Sequence, residues 1–408
     1  MDWINKPCSL LDKVSEWSIY LIIFVLPFGK SIVEICIVTA LVSLVLKRIL
    51  AKEKIISENS NINVLLYLFL AASLISLINS EHLNLSIRAF FSKSLKFAAL
   101  FLAAKEIINT RKKLNNFVII ASLSCVIILL DAFVQHYITH VDLLHSYPAF
   151  QFDKSVPQFL GFPTASFPFP NDFAAWMLMF VFPFCIFALL GKGKWQVTAF
   201  ASAVSIGLLY FLALTKVRGA WLAFIISFAL LALIKLKKLG VILLIVFILS
   251  AVLINRSLIP AIFSMTSIND RSVMWKNSVE IFKRHPILGN GLNTFYVNYM
   301  NIREDEFKYT HGSYAHNCYL QMAADIGLVG LLMFVLFAGS VILKAFKSIK
   351  AATDPYYYSI ILGINMGLIA FLLHSFVDTN LYSLNLSALF WLSAGIMLAV
   401  VKMNKSIA

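Results

Sequence analysis

The segment CYLQMAADIGLVGLLMFVLFAGSVIL, residues 318–343, has one charged residue, Asp325, among its 26 positions. About 20 apolar residues in an α-helix are enough to cross the hydrocarbon core of a membrane, which is about 30 Å thick. Comparable apolar runs recur along all 408 residues, of which 60% are hydrophobic and only 13% are charged. The pattern predicts an all-α, polytopic membrane protein that forms a single integral membrane domain over residues 1–408.

Hydropathy predicts about twelve transmembrane helices. The apolar runs are continuous and lack the period-two alternation of a transmembrane β-barrel. Two of the connecting loops are long, at about 135–171 and 256–317, and the second follows the ninth helix. The predicted helices span residues 16–29, 31–46, 62–79, 86–104, 117–135, 173–190, 195–214, 219–235, 239–255, 318–343, 359–377 and 384–401.

The basic residues predict the orientation of the chain. Placing the N-terminus in the cytoplasm puts 20 of the 34 Lys and Arg residues in short cytoplasmic segments, as the positive-inside rule requires. Both termini are therefore expected in the cytoplasm and both long loops outside it. The net charge of +14 follows from this distribution, so it does not indicate a nucleic-acid partner.

Cysteine spacing and the N-terminal residues indicate which common sequence signals are missing. The five cysteines show no CxxC pair, which predicts neither a disulfide framework nor a zinc site. The N-terminal residues lack a cleavable signal pattern, so the first apolar segment is expected to remain as a transmembrane helix. The cysteines are Cys8, Cys36, Cys125, Cys185 and Cys318.

The loop at 256–317 contains RSVMWKNSVEIFKRHPILG, residues 271–289, in which apolar and charged residues alternate. This composition predicts an amphipathic helix that lies on or near the membrane surface. Pro286 and Gly289 then predict a turn, and His285 is expected to belong to it.

His316 precedes the predicted tenth helix on the side away from the cytoplasm. The N–H groups at a helix N-terminus are unpaired and the helix dipole is positive there, so both disfavour a protonated imidazole. A neutral His316 would be ready to accept a proton. The alternative is that His316 only caps the helix.

Several bases are predicted near the same side of the membrane as His316. Arg218 lies with Lys216 in a short outward loop, where the positive-inside rule disfavours bases that have no partner. Arg271 precedes Trp275 by one helical turn, and Arg88 begins a basic strip that includes Lys93 and Lys96. Guanidinium groups bind phosphate oxygens in a bidentate way, so the group predicts an anion site. Contact with lipid headgroups is the alternative for each base taken alone.

Other polar residues have structural explanations. Asp325 lies inside a predicted helix, where an isolated carboxylate is costly, so we expect it either to pair with a base such as Lys96 or to help shape the cavity. Asp172 is expected to cap the sixth helix. His374 and Asp378 have i, i+4 spacing that could suit a metal, but the sequence shows no third ligand. The sequence contains no Walker, GxGxxG, HExxH or GxSxG motif.

The histidine segment resembles the bacterial O-antigen ligase and O-antigen polymerase superfamily. The ligase motif is His, then Asn, Ser or Gln, nine residues, Gly, two residues, and Gly, Thr or Tyr. Here it runs from His316 and Asn317 through Gly327 to Gly330. Three further segments are similar to the family, and the resemblance is strongest over about 160–345, which includes the 256–317 loop. They are FPFPNDFAAWM, TKVRGAW and DRSVMWKNSVEIFKRHPILGNGLNTF.

The resemblance implies a GT-C-like membrane glycosyltransferase of the bacterial inner membrane whose active site faces the periplasm. The donor would be a glycan on undecaprenyl diphosphate, and the acceptor a sugar hydroxyl of lipid A–core. His316 would be the general base, while Arg218 and Arg271, with Arg88 and Lys216 as further candidates, would bind the diphosphate. No metal or other cofactor is implied. The supporting residues would be Asn317, Asp325 and Trp275.

Two other functions remain open at this stage. A polymerase of the same superfamily would use the same donor but extend a second lipid-linked glycan, and related enzymes transfer glycans to protein. A secondary transporter would also suit twelve helices, yet transporters place polar groups at the midplane of repeated halves. Here the halves do not resemble each other and the charges lie mainly at the outer face.

Overall fold

The computed structural model describes residues 2–54, 60–149, 161–191, 194–254, 266–302 and 314–405, and within these ranges the chain forms helices and turns without a β-strand. The loop predicted at 256–317 is thus described only in part, because 255–265 and 303–313 lie outside these ranges. The helices are α1 (Asp2–Val25), α2 (Lys30–Leu50), α3 (Asn61–Ile75), α4 (Leu83–Ala89), α5 (Lys96–Ile107), α6 (Arg111–Val134), α7 (Pro170–Leu190), α8 (Trp195–Leu214), α9 (Arg218–Leu231), α10 (Lys237–Ile254), α11 (Thr266–Arg284), α12 (Phe295–Ile302), α13 (Cys318–Lys350), α14 (Pro355–His374) and α15 (Leu384–Lys405).

The all-helical, polytopic prediction is confirmed. Each of the twelve predicted ranges overlaps a helix, and seven described helical segments are long and apolar enough to cross a membrane. The total of twelve stays a prediction. The first helix begins earlier than expected, at Asp2, and ends at Val25 rather than at residue 29. A π-helical turn, Phe90–Leu95, joins α4 to α5 within the fourth predicted span.

Side chains that the sequence supplies at the helix starts satisfy the free N–H groups there. Ser60 accepts a hydrogen bond from the Asn63 N–H at 3.3 Å, and Asp354 accepts one from the Tyr356 N–H at 2.8 Å. Asp172 does not act in this way, contrary to expectation. Phe169 occupies the cap position of α7 and makes no side-chain cap bond, while Asp172 lies within the first turn.

The loops gather at two opposite ends of the helical bundle. At one end, Lys47 of α2 binds Asp12 of α1 at 2.7 Å, and Arg111 of α6 pairs with Asp354 before α14. These are the segments that the basic residues predict to be cytoplasmic. The loops predicted to lie outside the cytoplasm meet at the other end, where His145 contacts the Phe28 carbonyl at 2.9 Å. The assignment of each end to a side of the membrane stays a prediction.

The core surrounds α15, almost every residue of which is buried, and α5 and α14 pack most extensively against it. A second, smaller apolar cluster forms where α11 and α12 pack against the start of α13, and it includes Met274, Ile281, Phe295 and Tyr299. Most of the segment predicted to be amphipathic, 271–289, lies in α11, and Met274 and Ile281 on its apolar face pack against protein. Its position relative to the membrane surface stays a prediction.

Helix α13 is interrupted at Gly327, which has φ +71° and ψ −178°. The interruption frees main-chain groups that would otherwise be paired within the helix, and such groups are costly inside a membrane unless protein satisfies them. The turn after α11 provides the partners. Leu328 donates to the Pro286 carbonyl at 2.9 Å, and the Asp325 carbonyl accepts from the Gly291 N–H at 3.0 Å.

Two glycines allow this close approach of the turn to α13. A Cβ atom on Gly327 would lie 2.2 Å from the Ile287 carbonyl oxygen, and one on Gly289 would lie 2.3 Å from the Asp325 carbonyl oxygen. Both glycines also have positive φ, which other residues rarely adopt. The first glycine of the histidine motif therefore has a structural explanation, which is the attachment of α11 and α12 to α13.

We predict that Gly327→Ala destabilises the protein. The left-handed backbone alone costs about 1 to 2 kcal/mol for a residue with a side chain, and the new methyl group would also separate the turn from α13. Gly339→Ala is the matched control, because Gly339 lies in the same helix with no neighbouring atom within 4 Å of an added Cβ. Thermal unfolding in detergent should show a lower Tm for the first variant only. Equal Tm values for the two variants would contradict this account.

Candidate functional site

The start of α13 holds His316 in an unusual backbone conformation. Asn317 is the N-cap residue, and its side-chain oxygen accepts from the Tyr319 and Leu320 N–H groups at 2.9 and 3.0 Å. Gln321 accepts from the Ala315 N–H at 3.1 Å. His316 lies between these two contacts with φ +48°. Asn317, not His316, therefore caps the helix, so capping does not explain the histidine.

His316 faces the loop that follows α14. Its Nδ1 lies 3.5 Å from Asp378 Oδ1, a distance longer than that of an ordinary hydrogen bond. The imidazole is 34% exposed, whereas the carboxylate is only 9% exposed. His316 can thus contact a ligand while Asp378 supports it from behind. In the sequence, Asp378 has only the i, i+4 spacing from His374 that could suit a metal, and no sequence signal joins it to His316.

Cys318 fixes the distance between the His316 and Asp378 segments. Its N–H donates to the Ser375 carbonyl at 2.9 Å, and its thiol donates to the Asp378 carbonyl at 3.3 Å. The Leu381 N–H in turn approaches the Cys318 sulfur at 3.4 Å. A buried cysteine directly after the His–Asn pair therefore ties the first turn of α13 to both sides of Asp378.

Asp378 remains ionised in this environment. Burial by itself would raise the pKa of its carboxyl group, but His316, the charge of His374 and the Thr379 N–H, at 2.7 Å from Oδ1, lower that pKa to about 2. Because the pKa lies below its ordinary value, the charged contacts stabilise the folded state above the ordinary pKa. That stabilisation is lost as the pH falls towards 2.

Arg218 begins α9 beside the end of α14. The next residue, Gly219, packs so closely that a Cβ atom there would lie 2.3 Å from Val377 and 3.3 Å from the buried imidazole of His374. The Asn380 amide group contacts His374 Nδ1 at 3.1 Å. The TKVRGAW segment therefore lies against the loop that carries Asp378, and Gly219 permits the contact.

Arg271 approaches the same group of charges from α11. Burial lowers the pKa of its guanidinium, the charge of Asp378 raises it, and repulsion from Arg218 lowers it. The two arginines are therefore close enough to repel each other, and Asp378 is close enough to Arg271 to offset part of its charge. Asp172 in the first turn of α7 is also near, since its carboxylate and that of Asp378 repel each other.

Not every basic residue that the sequence predicted for the site lies near His316 and Asp378. Arg88 is exposed on α4. The Lys216 ammonium lies over the Phe162 ring at 5.3 Å from its centroid, so it is directed at the loop before α7. Trp275 is partly buried on α11, one turn after Arg271. His285 begins the turn after α11, as expected, and its carbonyl accepts from the Gly289 N–H at 2.8 Å.

Asp325 has a structural role below the site, but with a different partner from the one predicted. Its carboxylate accepts from the Phe295 N–H at 3.0 Å and so holds the start of α12. The charge that attracts it is that of Lys93, not Lys96. Lys93 also contacts the Asn293 side chain at 2.5 Å. Lys96 points elsewhere, because it binds Glu34 on α2 at 2.7 Å.

The part of the chain that the structure describes contains no group of three or more His, Cys, Asp or Glu side chains arranged to hold a metal ion. His374 and Asp378, whose spacing could suit a metal, instead belong to the group around His316. The site thus consists of an imidazole, two guanidinium groups and buried carboxylates.

Residues 201–335 match the family model described as O-antigen ligase. The match confirms the resemblance found in the sequence and supports an enzyme of the O-antigen ligase and polymerase type. Arg218, Arg271 and His316 all lie inside the matched region, whereas Asp378 lies beyond it. No curated protein matches the chain.

We predict that Lys93→Met destabilises the protein by about 1.5 to 3 kcal/mol, because it removes the charged hydrogen bond from Lys93 to Asn293 and the attraction of Lys93 for the buried Asp325 carboxylate. Lys96→Met is the matched control, since it removes a partly exposed pair that is worth about 1 kcal/mol or less. Adding Asp325→Asn to Lys93→Met should recover part of the loss, because the amide oxygen can still accept from Phe295. The measurement is thermal unfolding of all the variants in one detergent. Independent, additive effects of the Lys93 and Asp325 substitutions would refute the coupling.

Proposed function

We propose that the protein transfers a glycan from undecaprenyl diphosphate to a sugar hydroxyl of lipid A–core on the periplasmic side of the bacterial inner membrane. The observation that carries the proposal is the convergence of His316, backed by Asp378, with the guanidinium groups of Arg218 and Arg271. A general base and a diphosphate-binding pair are the two groups that this reaction requires.

In this proposal His316 deprotonates the acceptor hydroxyl. Its Nδ1 faces Asp378, which favours the tautomer with the proton on Nδ1 and leaves Nε2 free to accept the proton. The carboxylate then stabilises the imidazolium that forms. Because Asp378 stays ionised at any pH well above 2, this support is present throughout the physiological range.

The two arginines would act on the leaving group. The acceptor oxygen forms a bond to the anomeric carbon, and the bond from that carbon to the diphosphate oxygen breaks with its electron pair. Arg218 and Arg271 can each make two parallel hydrogen bonds to phosphate oxygens and so stabilise the charge as it develops. One direct displacement predicts inversion at the anomeric carbon.

The arrangement also suits a polymerase, since that enzyme differs only in the glycan that supplies the attacking hydroxyl. The transporter alternative receives less support, because the matched family consists of enzymes and because the charges converge at one end of the bundle rather than at its midplane. The acceptor therefore decides between the two remaining functions.

We predict that His316→Ala lowers kcat by about 10² to 10⁴-fold, which is the usual contribution of a general base. The KM for the donor should change little, because the arginines remain. Asp378→Asn should lower kcat less, by roughly 10 to 100-fold, as for other partners that orient a functional histidine. His285→Ala is the control, since His285 lies in the exposed turn after α11. The assay measures glycan transfer by purified protein, and near-normal turnover by the His316 variant would rule out the general-base role.

We predict that lipid A–core, and not a second lipid-linked glycan, is consumed when both are offered with the undecaprenyl diphosphate-linked donor. Mass spectrometry of the products identifies the acceptor, and NMR of the new linkage should show an inverted anomeric centre. Protein carrying His316→Ala is the inactive control and gives the background of the assay. Consumption of the second lipid-linked glycan would instead identify a polymerase.

A further inference from the structure

Asn380 lies in the loop after α14 and connects the segment of Asp378 back to that helix. Its side chain is buried, with 2% of the residue exposed. The amide nitrogen contacts His374 Nδ1 at 3.1 Å, the Ser375 hydroxyl oxygen at 3.4 Å and the Phe371 carbonyl at 3.5 Å. These three partners lie at the end of α14, so one side chain closes the turn that carries Asp378.

The neighbours of this amide group identify the atom that faces them as its nitrogen. The Ser375 hydroxyl donates to the Phe371 carbonyl at 2.9 Å, which leaves the hydroxyl oxygen as an acceptor. The Phe371 carbonyl can only accept, whereas an amide nitrogen has two N–H bonds to donate. The network therefore assigns Asn380 as the donor and His374 Nδ1 as an acceptor.

Asp378 lies between two connections that come from different helices. Cys318 at the start of α13 donates to the Asp378 carbonyl at 3.3 Å, and Asn380 binds the same loop to α14. A single contact would leave the loop free to rotate about it, whereas contacts from two helices fix its direction. The Thr379 N–H, 2.7 Å from Asp378 Oδ1, then orients the side chain through the oxygen that faces His316.

The contact with His374 also reaches the segment of Arg218. A Cβ atom on Gly219 would lie 3.3 Å from His374 Cδ2 and 3.5 Å from its Nε2, so the imidazole packs directly against the start of α9. His374 is itself buried. The orientation that Asn380 gives to this ring therefore sets how closely the loop of Asp378 and the start of α9 approach each other.

We propose that Asn380 is a positioning residue for the transfer reaction and that it acts through Asp378. This inference rests on the proposed function and adds to it a buried residue beyond the matched region 201–335. Asn380 closes the turn after α14 and so keeps Asp378 Oδ1 directed at the imidazole of His316. Its side chain does not contact the substrates.

The first test is Asn380→Leu, which keeps a side chain of similar size but donates no hydrogen bond. The kcat of transfer by purified protein should fall about 10-fold, while the KM for the donor should change less than about 2-fold. Asn404→Leu is the matched control, because Asn404 is equally buried and contacts Ser348 Oγ at 3.3 Å at the opposite end of the bundle. Both variants should lower Tm by similar amounts, but only Asn380→Leu should lower kcat.

The second test combines Asn380→Leu with Asp378→Asn. If Asn380 acts through the carboxylate, its loss has no further effect once the carboxylate is gone, so the double variant should match Asp378→Asn within about 2-fold in kcat. A further fall of about 10-fold in the double variant would overturn the proposal. An equal fall in kcat for Asn404→Leu, or a loss confined to the donor KM, would also overturn it.

A second substitution serves if the leucine variant does not fold. The hydroxyl of Asn380→Ser can still donate to one of the three acceptors, so this variant should lose less kcat than a variant without a donor. Its effect should likewise disappear in the Asp378→Asn background. An effect of the same size in both backgrounds would contradict a role through Asp378.

Hydrogen exchange separates this proposal from the proposed function. Mass spectrometry follows peptides that cover residues 375–382 in the unmodified protein, Asn380→Leu and Asn404→Leu. The Thr379 and Leu381 N–H groups, which contact Asp378 and Cys318, should exchange about 10-fold faster in Asn380→Leu only. Faster exchange supports the positioning of Asp378 even if no transfer reaction is found. Unchanged exchange overturns it and leaves the transfer reaction to its own test.

Discussion

The exchange of main-chain hydrogen bonds between the interruption in α13 and the turn after α11 is the constraint on which the site depends. Inside a membrane, an interrupted helix must find partners for its free N–H and carbonyl groups within the protein. Pro286 and Gly291 provide them here, and the glycines at 327 and 289 make room for the contact. One helix thereby carries His316 at its start and holds the helix of Arg271 nine to twelve residues later.

The site itself combines segments that are far apart in the chain. His316 comes from the start of α13, Asp378 from the loop after α14, Arg218 from the start of α9 and Arg271 from α11. Cys318 and Gly219 are the residues that let these segments meet, one through hydrogen bonds and the other through its lack of a side chain. An ionised carboxylate behind a partly exposed imidazole, with two guanidinium groups nearby, can move a proton and hold an anionic leaving group.

The corrections to the sequence analysis share a physical cause. Asp325 is attracted by the charge of Lys93, which lies in the π-helical turn Phe90–Leu95, whereas Lys96 binds Glu34. Asp172 does not cap α7, since Pro170 already begins the helix, and its carboxylate instead lies near Asp378. The amphipathic pattern of α11 did not identify α12 and α13 as the elements against which Met274 and Ile281 pack. Local patterns predict that a residue is polar or apolar, but they do not identify its partner.

The sequence by itself determined the helical membrane architecture, because hydropathy and the cost of unpaired main-chain groups in lipid leave few alternatives over runs of this length. It also predicted His316 as the candidate base, through the histidine motif. Arg218 and Arg271 were predicted because basic residues in segments outside the cytoplasm are disfavoured unless they have a partner. Only the tertiary structure decided that Asp378 supports His316, that Asn317 caps α13 and that Gly327 interrupts it. These features depend on contacts between segments tens of residues apart, and no local periodicity records such contacts.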